Sequence, residues 1–152
     1  MNIGDVVADF ELLDQHGTPR TLSSLVAGGP VVVFFYPLAS SGGCTKEACR
    51  FRDLESEFAA AGASIVGIST DSPAKQLDFA TKNHFSYPLL SDAKGEVAEQ
   101  FGVRRHLLAR TLPTKRATFI VDPSLTVRFA VSSETNMDVH ANNALAALPA
   151  LV

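Results

Sequence analysis

Two short stretches constrain this chain more than anything else in it: residues 31–36, VVVFFY, and residues 64–69, SIVGIS. Neither alternates with polar side chains. A strand that lacks a polar face is covered on both sides, so both belong in the middle of a sheet that carries helices on each face. Between them, from about Gly43 to Ala61, the residues Ala48, Phe51, Leu54 and Phe58 recur at spacings of three or four. That pattern predicts one amphipathic helix, ended at Gly62 by a left-handed cap. Strand, helix and strand in this order make a right-handed crossover between parallel strands.

The remaining elements follow the same logic. Residues 3–26 carry a polar turn, DQHGTPR, and predict an N-terminal hairpin or extended arm. Residues 73–83 open on Pro73, a favoured first helical residue. A short strand is expected at 87–90 and a short helix over 93–101. Strands at 118–121 and 125–131 flank Asp122-Pro123-Ser124 and predict a hairpin. A last helix is expected over 137–148, with Asn136 near its N-cap. No repeat or linker divides the chain, and residues 1–152 read as a single domain. The order β-α-β-α, inserted helix, β-β-α predicts an α/β, thioredoxin-like fold. It has a mixed central sheet flanked by helices and an N-terminal β-hairpin extension.

Composition removes whole classes of function. Apolar residues make up 46% and charged residues 19%, which excludes a disordered chain. The net charge is −3 and no long basic run is present, so nucleic acid and anionic membranes are not expected partners. The longest clean apolar run, residues 31–36, is far shorter than the ~20 residues that span a bilayer. The N-terminus lacks the apolar core of a secretory signal, and a cytoplasmic location is expected. Two cysteines do not make a disulfide scaffold; in an unexported chain they read as inert thiols or as redox chemistry. The histidines at 16, 84, 106 and 140 have no metal-site spacing, and no metal is expected.

Cys44 falls at the start of the helix after the first core strand, where open α/β sheets collect ligands. Unpaired N–H groups and the dipole at a helix N-terminus stabilise a thiolate, which is the nucleophilic form of cysteine. The plainer alternative is a small apolar side chain packed with Ala48 and Phe51. Cys49 lies five residues on. On a helix that spacing separates the Cα atoms by roughly 8–9 Å, beyond the ~4.4–6.8 Å of a disulfide. If the two pair, the first turns must unwind, giving a helical state and a locally unfolded one. Otherwise Cys49 is a half-exposed spectator.

A cation would complete the site. Arg116 precedes the strand at 118–121; if that strand runs antiparallel beside 31–36, Arg116 lies beside Cys44 and can donate to its sulfur and to a bound oxygen. Lys115 is its neighbour, and an exposed strand-end arginine is the alternative. Glu47 either opposes a thiolate by charge or is a favourable acid in the first helical turn. Ser41 can cap the helix or touch the sulfur. Pro37 closes the strand and either fixes the loop that leads through Gly43 or is a simple strand stop.

The segment FFYPLASSGGCTKEACRFRD, residues 34–53, resembles the active-site segment of peroxiredoxins, and most closely that of the bacterioferritin comigratory protein, or PrxQ, subfamily. Pro37, Ser41, Cys44 and Cys49 match its Pro-x-x-x-Thr/Ser-x-x-Cys pattern and its second cysteine. VGISTDS (66–72), YPLLSD (87–92), GEVAEQFGV (95–103) and RATFIVD (116–122) follow in the family's order. The resemblance implies a thiol peroxidase without cofactor. Cys44 would be peroxidatic and Cys49 resolving, within one chain and thus in a monomer. Arg116 and Ser41 would position peroxide, Pro37 would shield the sulfur, and Gly43 and Glu47 would line the substrate site. Thioredoxin, or alternatively glutaredoxin, would be the reductant. A thiol–disulfide oxidoreductase on the same fold is the alternative. The chain departs from the family in having Ser41 for the commoner Thr, Gly42 for a frequent Pro, and a shorter, less aromatic segment over 104–115.

Overall fold

The computed structural model describes residues 1–105 and 114–151; most of the atypical 104–115 segment lies outside them. The strands are β1 (Glu11–Leu13), β2 (Pro19–Thr21), β3 (Val31–Phe35), β4 (Ser64–Ser69), β5 (Leu89–Ser91), β6 (Ala117–Val121) and β7 (Val127–Ser132). The helices are α1 (Leu22–Leu25), α2 (Gly42–Asp53), α3 (Glu55–Ala60), α4 (Pro73–Asn83), α5 (Glu96–Gln100) and α6 (Asp138–Ala147). The described strands form one sheet in the order β2-β1-β5-β4-β3-β6-β7. β3, β4 and β5 are parallel, β6 is antiparallel to β3, and β7 and the β1–β2 hairpin are antiparallel at the edges. This is the mixed, helix-flanked sheet with an N-terminal hairpin that the element order predicts.

The two unrelieved apolar strands explain themselves. On β3, Val32 and Phe34, with Tyr36 beyond, enter one core with Phe51, Phe58, Phe79 and Ala141. Val31, Val33 and Phe35 enter the other with Leu22, Val97, Phe101 and Phe119. Both faces of the strand are thus interior, and every β3 residue is fully buried. Phe34 stacks on Phe51 of α2 at 4.3 Å between ring centroids, which seats the helix against the strand. At full burial each such ring stabilises by roughly 1.5–3 kcal/mol.

Several boundaries differ from expectation. The single helix predicted from Gly43 to Ala61 is two helices, broken at Leu54, whose backbone sits at φ −100°, ψ 6°. Past α3 comes the left-handed turn at Gly62 (φ 82°), and Phe58 lies 5.9 Å from Phe51. Asn136, expected near the N-cap of α6, directly precedes it: Met137 is the N-cap residue, and the Asn136 N–H donates to the Ser133 hydroxyl at 3.0 Å. The four-residue α1, capped by Thr21, was not anticipated.

Register does the work of placing the site. Phe35 pairs with Ala117 across β3 and β6. The residue before Ala117 is therefore brought to the end of β3 from which α2 departs. Gly67 on β4 lets the neighbouring aromatic residues close over it: a Cβ there would lie 2.8 Å from Phe34 and 3.1 Å from Tyr36. Gly67→Ala should therefore destabilise the fold by about 1–3 kcal/mol, read as a lower urea midpoint; an unchanged midpoint contradicts this packing.

Candidate active site

The site is assembled where β3 ends. Pro37 is buried directly after the strand. The loop beyond it is pinned by a polar network under the sheet's edge. Asp71 Oδ2 accepts the Ala39 N–H at 2.8 Å and the Ser69 hydroxyl at 2.7 Å. Gln76 donates to Ser69 Oγ at 2.9 Å and to the Leu90 carbonyl at 3.0 Å, and it accepts a hydrogen bond from the Tyr36 hydroxyl. Ser40 adopts a left-handed backbone, φ 65°, an arrangement that costs a non-glycine residue about 1–2 kcal/mol. The Asp71 tie holds that bend.

Ser41 is the N-cap of α2, and its hydroxyl accepts the Cys44 N–H at 3.3 Å. Of the two roles expected for Ser41, the structure displays the capping one. Cys44 is consequently the third residue of the helix, in its first turn, and has no exposed surface. Arg116 Nη2 lies 3.3 Å from Cys44 Sγ. Arg116 itself is buried, so the exposed strand-end alternative is excluded. Gly43 makes that approach possible: a Cβ there would sit 3.3 Å from Arg116 Nη2 and 3.2 Å from Met137 Cε.

Glu47 is the sixth residue of α2, past the first turn in which an acid was expected. It is completely buried, and its Oε1 accepts from Arg116 Nη1 at 2.9 Å. Burial pushes its pKa up to about 8, against the pull of Arg116. Burial also works against the Arg116 charge, but Glu47 and Cys44 together hold the guanidinium's pKa above its ordinary value. The backbone N–H of Arg116 donates to Glu134 Oε1 at 3.1 Å, and Glu134 is itself paired with Arg105 at 2.8 Å.

His140, on α6, is the part that sequence reasoning missed. Its Nδ1 is 2.8 Å from Thr118 Oγ1 and 3.4 Å from Glu47 Oε2, and its Nε2 is 2.8 Å from the Ser133 carbonyl. Burial lowers its pKa. The only available signal was its place one residue before Ala141 and four before Ala144, both small and buried on the same helix.

Cys49 and Cys44 are both free thiols on one unbroken helix. Cys49 is half-buried, with Sγ 3.8 Å from Asn83 Oδ1. Around it, α2 is fastened to its neighbours. The Tyr87 hydroxyl donates to the Ala48 carbonyl at 2.7 Å, and Arg52 Nη1 donates to the Asn83 carbonyl at 2.8 Å. Burial keeps the Tyr87 pKa well above the ordinary phenol value, so it remains a donor. Among the described residues no cluster of metal-ligating side chains occurs, and no helix is long and apolar enough to cross a membrane.

This arrangement has relatives. The AhpC/TSA family pattern matches residues 3–130. A putative peroxiredoxin of Mycobacterium tuberculosis is 60% identical over 99% of this chain and 98% of its own length. The chloroplastic peroxiredoxin Q of Populus jackii is 38% identical over 99% of this chain and 70% of its own. Among solved structures, the peroxidoxin BcpB of Mycobacterium tuberculosis superposes with a TM-score of 0.95 at 59% identity, covering 100% of this chain and 99% of that one. The bacterioferritin comigratory protein of Xanthomonas campestris, crystallised in work on its alkyl peroxide reduction, superposes with a TM-score of 0.85 at 34% identity, covering 93% and 91%.

Glu47 makes the stability of the fold depend on pH. Its native pKa of about 8 exceeds its ordinary 4.5, so the folded chain holds a proton there that the unfolded chain has lost. Its contribution is complete below the lower value and disappears as pH rises through the higher one. Glu47→Gln cannot titrate. In urea denaturation across that window, wild type should lose stability relative to the variant as pH rises; parallel curves would contradict the buried, protonated state.

Proposed function

Because the chain belongs to the AhpC/TSA family and is a peroxiredoxin, a thiol peroxidase, we propose that Cys44 is its peroxidatic cysteine and Cys49 its resolving cysteine. The observation that carries this reading is the Arg116 guanidinium 3.3 Å from a cysteine sulfur in the first turn of a helix. A helix N-terminus and a guanidinium both favour the thiolate, and the same fork can hold a peroxide oxygen by charge-assisted hydrogen bonds. Hydrogen peroxide and organic hydroperoxides are the proposed substrates. The alkyl peroxide activity named for the Xanthomonas relative supports the second class.

In the proposed sequence, the Cys44 thiolate attacks the terminal oxygen, the O–O bond breaks, and a sulfenic acid forms with release of water or an alcohol. Ser41 holds the helix start in place, Pro37 shields the sulfur, and Gly43 and Glu47 shape the site around Arg116. Cys44 has no exposed surface, so peroxide enters as the Pro37–Gly43 loop gives way. The first turns of α2 then open, which requires release of the Tyr87–Ala48 bond. The Cys49 thiol attacks the sulfenic sulfur, water leaves, and an intrachain disulfide remains. A dithiol protein, thioredoxin or glutaredoxin, reduces it by exchange. Both cysteines lie on one helix, so a monomer suffices, and a cytoplasmic location fits such a reductant. The oxidoreductase alternative is not favoured, since the relatives are peroxidases and the cysteines are five apart rather than three.

Cys44→Ser should abolish peroxide consumption in a coupled assay with thioredoxin, thioredoxin reductase and NADPH. Cys49→Ser should retain a single turnover and then stall. Mass spectrometry of wild type after one equivalent of peroxide should find Cys44 joined to Cys49 within one chain. Turnover by Cys44→Ser, or disulfides only between chains, would overturn the reading.

A further inference from the structure

Arg116 faces two acids at once. Nη2 reaches Cys44 Sγ at 3.3 Å and Nη1 reaches Glu47 Oε1 at 2.9 Å. All three groups are buried. With both acids ionised the pocket would hold two negative charges on one cation, away from screening water. Glu47 Oε2 adds a second observation: it is buried and has no hydrogen-bond donor. A bare carboxylate oxygen in the interior is costly, whereas a carboxylic acid would carry its proton on that oxygen and seek an acceptor.

His140 offers the acceptor. The Ser133 carbonyl can only accept, so His140 Nε2, 2.8 Å away, carries the ring hydrogen. In the neutral ring Nδ1 then keeps one lone pair, which accepts the Thr118 hydroxyl at 2.8 Å and is shared with a proton on Glu47 Oε2, 3.4 Å away, only as a second, longer contact. The other groups acting on Glu47 are Glu134, already paired with Arg105, and the Tyr87 hydroxyl.

We propose that Arg116 serves one anion at a time. While Cys44 is a thiolate, Glu47 is a carboxylic acid directed at His140; when peroxide consumes the thiolate, Glu47 releases that proton and becomes the counter-ion. Glu47 and His140 are thus a proton store that keeps the charge of the pocket constant through the reaction. The proposal rests on Cys44 as the peroxidatic residue and deepens that reading. Burial raises the pKa of Glu47 and lowers that of His140, directions that agree in putting the shared proton on the carboxyl.

The step balances. A sulfur lone pair forms the S–O bond and the O–O pair leaves on the alkoxide, so Cys44 is oxidised and the peroxide reduced. The alkoxide takes up one proton and Glu47 gives one up; no direct transfer between them is needed. On reduction, the dithiol supplies two electrons and two protons to the disulfide. Cys44 returns as a thiol, and its proton passes to Glu47.

The test uses the full chain carrying Cys49→Ser, in which the sulfenic acid persists. An infrared difference spectrum, oxidised minus reduced at neutral pH, should show loss of a protonated carboxyl C=O band. Glu47→Gln should abolish that band, and His140→Phe or His140→Gln should shift its frequency through the altered hydrogen bond. Independently, the rate of Cys44 oxidation should fall severalfold as pH rises through about 8, the Glu47 value, and Glu47→Gln should remove that fall; a purely structural role would lower the rate uniformly. If Cys44 is oxidised but no Glu47 carboxyl band is lost, this proposal fails alone. If both His140 variants leave the band unmoved, the His140 role fails. If peroxide leaves Cys44 unoxidised, the peroxidatic reading fails with it.

Discussion

One buried guanidinium organises the reacting end of this protein. Arg116 forks between the Cys44 sulfur and the Glu47 carboxyl, and nearly everything around it serves to hold that fork in a dry place. The antiparallel register of β3 and β6 delivers the arginine to the right end of the sheet. Gly43 leaves room for its Nη2, and the Arg116 backbone is tied by Glu134 and by the Ser132 hydroxyl. An arginine is suited to this role because its planar donors can meet two acceptors at once and its charge survives burial.

The other half of the account is the tension in α2. Ser41 caps its start, Phe51 stacks it on β3, Tyr87 fastens its middle and Arg52 its last turn. Those bonds favour the helical state in which Cys44 meets Arg116. On the proposed mechanism the same bonds oppose the opening that Cys49 needs, so they set the time for which a sulfenic acid waits. On that mechanism the helix would have to be stable enough to build the site and weak enough to yield part of it, the usual condition of a segment with low local stability.

Much of this was legible in the residues. The fold was readable because VVVFFY and SIVGIS leave no polar face, and the capping role of Ser41 because a serine three residues before Cys44 meets a helix start. Arg116 was readable once an antiparallel β6 was assumed. What escaped depends on contacts distant in sequence. The sequence placed Glu47 in the first helical turn, but α2 begins at Gly42, so Glu47 falls past that turn and is buried where α6 packs across α2 and brings in His140, 93 positions away. The break at Leu54 has no glycine or proline to announce it. Asp71, which anchors the loop, looks in sequence like any acid after a strand, and its target is the Ala39 backbone, which has no residue signature.

The central claim is that Arg116 keeps Cys44 reactive. Alkylation of Cys44 by iodoacetamide, followed across pH in Cys49→Ser with and without Arg116→Met, tests it most directly. The account predicts that loss of the guanidinium slows alkylation at neutral pH by about tenfold or more. Equal rates at neutral pH would contradict it.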